Sequence, residues 1–145
     1  MRQTVKTIAR NTLAVVLGWV VGSIVNMTII TLGPHVIPLP EGADVSTMEG
    51  IRESMKLFGP VNFIVPFVAH ALGTLVGAWV AAKLAVSHHV KLALGVGVLF
   101  LLGGIAAASM MGGPVWFIAC DILLAYIPMG YLGGVLAAGR KPETP

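Results

Sequence analysis

The charged residues of this chain are distributed so that four long stretches contain no Asp, Glu, Lys or Arg. These uncharged stretches cover residues 11–40, 57–82, 92–120 and 122–139. Only 10% of the 145 residues are charged, whereas 57% are hydrophobic. Because a membrane-spanning helix needs about 20 apolar residues, each stretch can hold one span, the last together with the turn before it. The pattern predicts an all-α integral membrane protein built as an antiparallel bundle of four transmembrane helices.

The four stretches also set the expected organisation, which is a single membrane domain over residues 1–145. The first stretch is longer than the roughly 7–15 apolar residues of a signal peptide, so we interpret it as a retained helix. A short tail is expected over residues 139–145. The predicted spans cover residues 12–32, 60–82, 92–111 and 114–138.

The one long connection, residues 33–59, combines a stiff segment with a helical segment. Three prolines between positions 34 and 40 favour extended backbone. Ser46 and Glu49 have the spacing of a capping box, which predicts a helix over 47–58. We expect an amphipathic helix at the membrane interface, acting either as a cover for the bundle or as a gate over a site between the helices. Its apolar face carries Met48, Ile51, Met55 and Phe58.

The basic residues indicate the orientation, because short loops rich in Lys and Arg stay on the cytoplasmic side. The long connection is acidic, with four carboxylates against two basic residues. We therefore expect both termini in the cytoplasm and residues 33–59 on the outer side. The basic residues form no stripe with aromatic partners, so no nucleic-acid partner is expected. Those outside the long connection are Arg2, Lys6, Arg10, Lys83, Lys91, Arg140 and Lys141.

Small residues recur at four-residue spacing in three of the predicted spans. Such residues let helix backbones approach closely inside a membrane. We interpret them as helix-packing positions and not as a specific dimer motif, since glycine-rich spans produce such pairs readily. The pairs are Gly18 with Gly22, Gly73 with Gly77, and Gly130 with Gly134.

Asp121 is the only acidic residue inside a predicted span, and a carboxylate is costly enough in hydrocarbon to be a functional-site hypothesis. Asn26 and His70 lie on the glycine-bearing faces of their helices at a similar depth. We expect the three side chains to meet in the outer half of the bilayer. Further polar candidates within the same region are Asn62, Thr74 and Tyr126.

Each polar candidate also has a plainer interpretation. An Asn or Thr within a span commonly forms an interhelical hydrogen bond worth about 0.6 kcal/mol. His70 can be a neutral packing residue, and Asp121 can be a protonated or histidine-paired structural group. Pro66 and Pro128 each leave a backbone carbonyl without its helical donor, free to bind a partner.

The chain lacks a phosphate-binding loop, a nucleophile elbow, a His-Glu-x-x-His motif and a Cys-x-x-Cys motif. Its single cysteine, Cys120, excludes dithiol chemistry within one chain. No cofactor and no metal site are predicted, and an enzyme is the less expected class.

Two functional hypotheses from different classes remain. The first is an interaction, scaffold or accessory-subunit protein that binds copies of itself or other membrane proteins within the bilayer. The alternative is an oligomeric ion- or proton-coupled transporter or channel for small solutes that uses Asp121 and His70. A cavity reaching Asp121 would favour transport, whereas a dry and fully hydrogen-bonded Asp121 would favour a scaffold.

Several short runs of residues, spread over most of the chain, together form a recognisable pattern. They are Pro40-Glu41-Gly42, Phe58-Gly59-Pro60, Ala69-His70-Ala71-Leu72-Gly73-Thr74-Leu75, Trp116, Asp121, Tyr126 and Pro128-Met129-Gly130. The pattern resembles a group of small bacterial four-helix membrane proteins to which no activity is attached. The resemblance implies four spans and a location in the bacterial inner membrane. It carries over no catalytic residue.

Overall fold

A computed structural model describes residues 2–139, which form six α-helices and two short 3₁₀ turns without any strand in that range. The α-helices are α1 (Arg2–Leu32), α2 (Met48–Ser54), α3 (Ile64–Leu84), α4 (His89–Met111), α5 (Val115–Leu124) and α6 (Ile127–Ala138). Four helical segments are long and apolar enough to cross a membrane, namely Arg2–His35, Pro60–Leu84, His89–Met111 and Val115–Ala138. The prediction of an all-helical chain with four long apolar helices is confirmed.

Helix α1 begins at Arg2, ten residues before the predicted start of the first span. Arg, Lys and Gln are good helix formers, so the basic N-terminal segment continues the helix. At 31 residues, α1 is about 46 Å long and exceeds the roughly 30 Å of a bilayer core. Asn11 marks the point where the bundle begins, since its side chain accepts a hydrogen bond from the Val86 amide and donates one to Ser87, both at 3.0 Å.

The helices run antiparallel, so the bundle has two ends. We call the end near residues 33–59 the loop end and the end near Asn11 and Val86 the terminal end. On α1 and α3, Gly18 faces Gly77, and Gly22 faces Gly73. A methyl group added at Gly77 would lie 2.6 Å from the Gly18 carbonyl oxygen. These four predicted packing glycines therefore lie where the α1 and α3 backbones almost touch.

Helix α6 closes the terminal half of the bundle against α3 and α4. Gly134 lies against Ala93 and Val90 of α4, and Gly130 lies against Gly97. On its other side α6 presents Gly133, where an added methyl group would lie 2.5 Å from a backbone oxygen of α3. The buried core of this half consists almost entirely of small residues, namely Ala78, Ala81, Ala82, Ala93, Val96 and Ala137.

The fourth span is broken into α5 and α6 at Ala125 and Tyr126. Pro128 explains the break, because it has no amide proton to donate to the carbonyl of Leu124 and lies in the first turn of α6. Pro66 has no such effect. It lies in the first turn of α3, where an amide proton would have no helical partner in any case.

The long connection contains a shorter helix than predicted, since α2 covers Met48–Ser54 instead of 47–58. Its N-cap is Thr47, whose hydroxyl accepts a hydrogen bond from the Gly50 amide at 2.9 Å. The capping box expected from Ser46 does not form, because its amide and hydroxyl donate to Asp44 at 2.8 and 2.6 Å. These two hydrogen bonds, the hydroxyl bond first, lower the pKa of the Asp44 carboxyl below its ordinary value.

Candidate functional site

Three side chains from the second and fourth spans, His70, Asp121 and Tyr126, form a hydrogen-bonded group that we call the polar cluster. The Nδ1 atom of His70 lies 2.9 Å from each carboxylate oxygen of Asp121. The Tyr126 hydroxyl donates to Oδ2 of Asp121 at 2.6 Å, and its oxygen lies 3.1 Å from His70 Nδ1. The carboxylate therefore has two donors, which offset much of the cost of burying it.

The break in the fourth span brings Tyr126 to Asp121. In a regular α-helix, residues five apart point about 140° away from each other around the axis. The backbone between Leu124 and Ile127 is not regular helix, so this angle does not apply. The Tyr126 hydroxyl therefore points towards the Asp121 carboxylate. Gly104 on α4 provides the room, because a methyl group there would overlap the Tyr126 hydroxyl.

The arrangement fixes which nitrogen of His70 faces the acid. The Asp121 side chain is 8% exposed and the His70 side chain 23% exposed. A carboxylate beside Nδ1 holds a proton on that nitrogen. Nε2 has no hydrogen-bond partner among residues 2–139 and is not sealed from its surroundings. Nε2 is therefore the nitrogen of His70 that is left available to a ligand.

The polar cluster is reached by a cavity of about 540 Å³ between the helices and the long connection. That volume falls within the roughly 300–1,000 Å³ of small-molecule sites. His70 and Asp121 are its ionisable lining residues within 2–139, and the rest of its wall is largely apolar. The apolar face of α2 and the turn after it cover the loop end of the cavity with Met48, Ile51, Met55 and Phe58.

Asn26 lines the same cavity but does not join the polar cluster. Its Cβ packs against Gly73, so the side chain projects from the close contact of α1 with α3. The amide oxygen is buried without a hydrogen-bond partner. A buried polar atom without a partner costs about 1–3 kcal/mol. The Asn26 amide oxygen is therefore a hydrogen-bond acceptor at the cavity that has no partner within residues 2–139.

The remaining polar candidates have local roles. Asn62 lies at the edge of the cavity, accepts a hydrogen bond from the Gly59 amide at 2.9 Å and donates to the Pro38 carbonyl at 3.3 Å. It joins the long connection to the start of α3 and does not reach Asp121. Thr74 is fully buried and donates at 2.8 Å to the carbonyl of His70, within its own helix. Among the described residues, the Thr74 hydroxyl therefore bonds only within its own helix.

Of two features that the site needs, sequence reasoning missed one and left the other as an open alternative. One is Gly104, which belongs to a Gly-Gly pair on α4 and has no glycine partner at four-residue spacing. The other is the cavity, because the apolar face of α2 could equally have packed on lipid or on the top of the bundle. The available signal for the cavity was the abundance of methionine in that face.

Residues 2–139 contain no group of three or more His, Cys, Asp or Glu side chains placed to hold a metal ion. Cys120 is exposed on α5, next to Asp121 in sequence but on a different face. Neither protein-family models, nor curated proteins, nor solved structures gave a match to this chain. Any function must therefore be argued from the polar cluster, Asn26 and the cavity.

Proposed function

We propose that this chain is a multi-pass membrane protein that binds a small solute in its cavity and couples the movement of that solute to a proton. The observation that carries the proposal is a cavity of about 540 Å³ that reaches the acidic residue of the spans and its histidine partner. Ionisable residues inside membrane proteins commonly mark ion pathways and proton relays. His70 and Asp121 would be the groups that carry the proton.

The coupling would arise from the two protonation states of the His70–Asp121 pair. Protonated His70 presents a hydrogen-bond donor at Nε2, whereas neutral His70 presents an acceptor there. The net charge of the pair changes by one between these states, which matters most where little water is present. Protonation therefore changes which solute groups can bind beside His70.

The broken fourth span would supply the moving part. Helix α6 is held by close glycine contacts with α3 and α4. Helix α5 has no glycine, and Asp121 lies in its last turn, just before the break. Discontinuous helices beside a binding site are a recurrent feature of membrane transporters. We propose that α5 and α2 shift to open the cavity, while the terminal half stays packed.

We further propose that the chain lies in the bacterial inner membrane with its terminal end in the cytoplasm. The four long apolar helices support insertion. The basic residues of α1 and the two lysines that flank the α3–α4 connection, Lys83 and Lys91, support the orientation, because cytoplasmic ends are enriched in Lys and Arg. The predicted tail contributes Arg140 and Lys141 in sequence, but both lie outside the described residues.

The scaffold or accessory-subunit function remains a prediction with less support. The six predicted packing glycines all contact other helices of the same chain, so they are not free to bind another protein. A homo-oligomer also remains a prediction. The cavity is formed within one chain, so solute binding does not require a second copy.

The test is solute-driven proton movement in liposomes that contain the purified full-length chain and an internal pH-sensitive dye. Cationic, neutral and anionic solutes are added in turn under a clamped membrane potential. At least one class should drive a proton flux, and Asp121→Asn should abolish that flux. Cys120→Ser is the matched control, because Cys120 is the exposed neighbour of Asp121 and should keep wild-type flux.

Two results would contradict the proposal. One is the absence of flux with every solute class from protein that is folded and correctly inserted. The other is wild-type flux from Asp121→Asn.

A further inference from the structure

We infer that the cavity takes an organic cation with a mainly apolar body, and that this cation and a proton on His70 exclude each other. The inference rests on the proposed function and deepens it by naming the class of solute. It is carried by the charges that line the cavity, by the unpaired amide of Asn26 and by the apolar side chains that form the walls.

Charge neutrality in the cavity selects a cation. Of the residues within 2–139 that line it, Asp121 is the single acid and His70 the single base, and neither Lys nor Arg is present. With neutral His70 the cavity holds one uncompensated negative charge, which is costly where little water is present. A bound organic cation removes that charge. An anionic solute would find no lysine or arginine to pair with.

Asn26 adds a second group that suits a cation. Its amide oxygen has no hydrogen-bond partner although it is buried. Because Asn26 lines the cavity, this unused acceptor suits a ligand that carries an ammonium donor. His70 Nε2, when neutral, is another acceptor beside the same cavity. Both groups then favour a positively charged donor.

The walls fit the body of such a cation. Phe63 and Phe117 line the cavity with their ring centroids 4.7 Å apart, and aromatic faces attract cations. Four of the seven methionines of the chain also line it, and their flexible side chains adapt to ligands of different shape. These methionines are Met27, Met48, Met55 and Met111.

Binding would therefore exchange one positive charge for another. When the cation enters, the proton leaves His70 Nε2 for water, and the cavity is neutral before and after. The ionisable groups facing the pair on the described helices are Tyr126, which contacts it, and none from α1 or α4. The charged residues of α2, including Glu49, Arg52 and Glu53, do not line the cavity.

The experiment compares two probes of matched shape and opposite charge, tetraphenylphosphonium and tetraphenylborate, which test the charge and the apolar body and carry no hydrogen-bond donor. Each is titrated by calorimetry into the purified full-length chain in detergent, with empty micelles as the blank. The phosphonium should bind and the borate should not. Equal binding of the two ions would overturn the inference, since it would reduce the cavity to an apolar surface.

The pH dependence tests the exchange. In the acidic range, phosphonium affinity should fall about tenfold for each unit by which the pH is lowered, because one proton competes with one cation. The binding heat should vary with the ionisation enthalpy of the buffer, which reports the released proton. An affinity that does not change with pH would overturn the exclusion between the cation and the proton.

Variants locate the binding site. Asp121→Asn should lower phosphonium affinity by about 30-fold or more, because the counter-charge is lost. If this variant fails to fold, two alanine-to-leucine variants on α4 test the location of the site instead. Ala108 lines the cavity and Ala106 faces outward, so Ala108→Leu should weaken binding and Ala106→Leu should not. Equal effects of the two leucines would overturn the location.

The outcomes for the inference and for the proposed function are distinguishable. Charge-selective binding that depends on Asp121, without proton flux in liposomes, would support the inference and contradict transport. Proton flux driven only by neutral or anionic solutes would support transport and overturn the inference.

Discussion

The two halves of the fourth span lie in one segment but pack in opposite ways. Helix α6 has three glycines, and through them it approaches α3 and α4 until backbones nearly touch. Helix α5 has none and carries large side chains such as Trp116 and Phe117. Because large side chains hold helices apart, the bundle is closed around α6 and leaves a cavity beside α5. The comparison indicates that glycine content along one span separates a packed half from a binding half.

The chemistry follows the same division. The terminal half buries alanine and glycine and, within the described residues, brings no acidic side chain into its core. The loop half holds Asp121, His70 and the unpaired Asn26. Polar groups that would be costly in a tight apolar core lie where a ligand or water can reach them. Stability and binding can therefore be perturbed separately, which the following variants examine.

The largest effect is expected from overpacking the terminal half. In Gly77→Leu the new side chain would meet the Gly18 carbonyl and force α1 away from α3. Overpacking of this kind costs up to about 3 kcal/mol. The free energy of unfolding in mixed micelles measures it. Gly95→Leu is the control, because a methyl group at Gly95 meets no neighbour within 4 Å. Equal stability of the two variants would contradict the close contact of α1 with α3.

A smaller effect is expected from a double-mutant cycle in the loop half. Either His70→Gln or Asp121→Asn removes one partner of the pair and leaves the other without it. The double variant removes both, so its cost should be less than the sum of the two single costs. The coupling should be about 1–2 kcal/mol, within the range found for residues in contact. Additive costs would mean that the two side chains do not interact in the folded protein.

A more subtle change tests how Tyr126 reaches Asp121. In Gly104→Ala the added methyl group would displace the Tyr126 hydroxyl from the carboxylate. Loss of that hydrogen bond should cost about 1 kcal/mol. Gly103→Ala differs by one position and meets no neighbour, so it should be neutral or slightly stabilising. A variant Gly104→Ala as stable as Gly103→Ala would refute the contact between α4 and the polar cluster.

The smallest effect concerns the segment that covers the cavity. The pKa of Asp44 is lowered in the folded protein by the hydrogen bonds from Ser46. A lowered folded-state pKa contributes stability above the unfolded-state pKa, and this contribution is lost as pH falls through the folded-state pKa. The protection factors of the α2 amides, which correct for the slower intrinsic exchange at lower pH, should therefore fall on acidification in the wild type. In Asp44→Asn the acid-dependent loss of α2 amide protection should be absent. If the loss persisted in this variant, a different carboxylate would be its cause.

Much of the fold could be predicted because the relevant signals are local. Uncharged stretches define spans, and the four-residue spacing of Gly18 with Gly22 defines a helix face. The start of α1 was missed because charge was taken as its boundary, whereas Arg2 and Lys6 favour helix as strongly as many apolar residues. The end of α2 depends on tertiary contacts such as that of buried Ser54 with Asp44, which no local pattern reveals.

Part of the candidate site could be predicted from the sequence for the same reason. The depths of His70 and Asp121 follow from residue counts along two helices, so their proximity could be expected. The contact of Tyr126 with Asp121 could not, since helical geometry places residues five apart on different faces. The cavity depends on how far large side chains hold α5 from its neighbours, which is a property of three-dimensional packing.

The uninterrupted course of α1 has a practical consequence for imaging so small a particle. At 15.1 kDa the chain is far too light to be aligned by itself in electron micrographs. Helix α1 continues as an exposed rod from Asn11, where hydrogen bonds to Val86 and Ser87 fix it to the bundle, back to Arg2. If the last helix of a soluble protein were fused in helical register before Arg2, that helix and α1 would form one continuous helix without a flexible linker. Such a fusion would serve as a rigid alignment marker on the side of the bundle opposite the cavity.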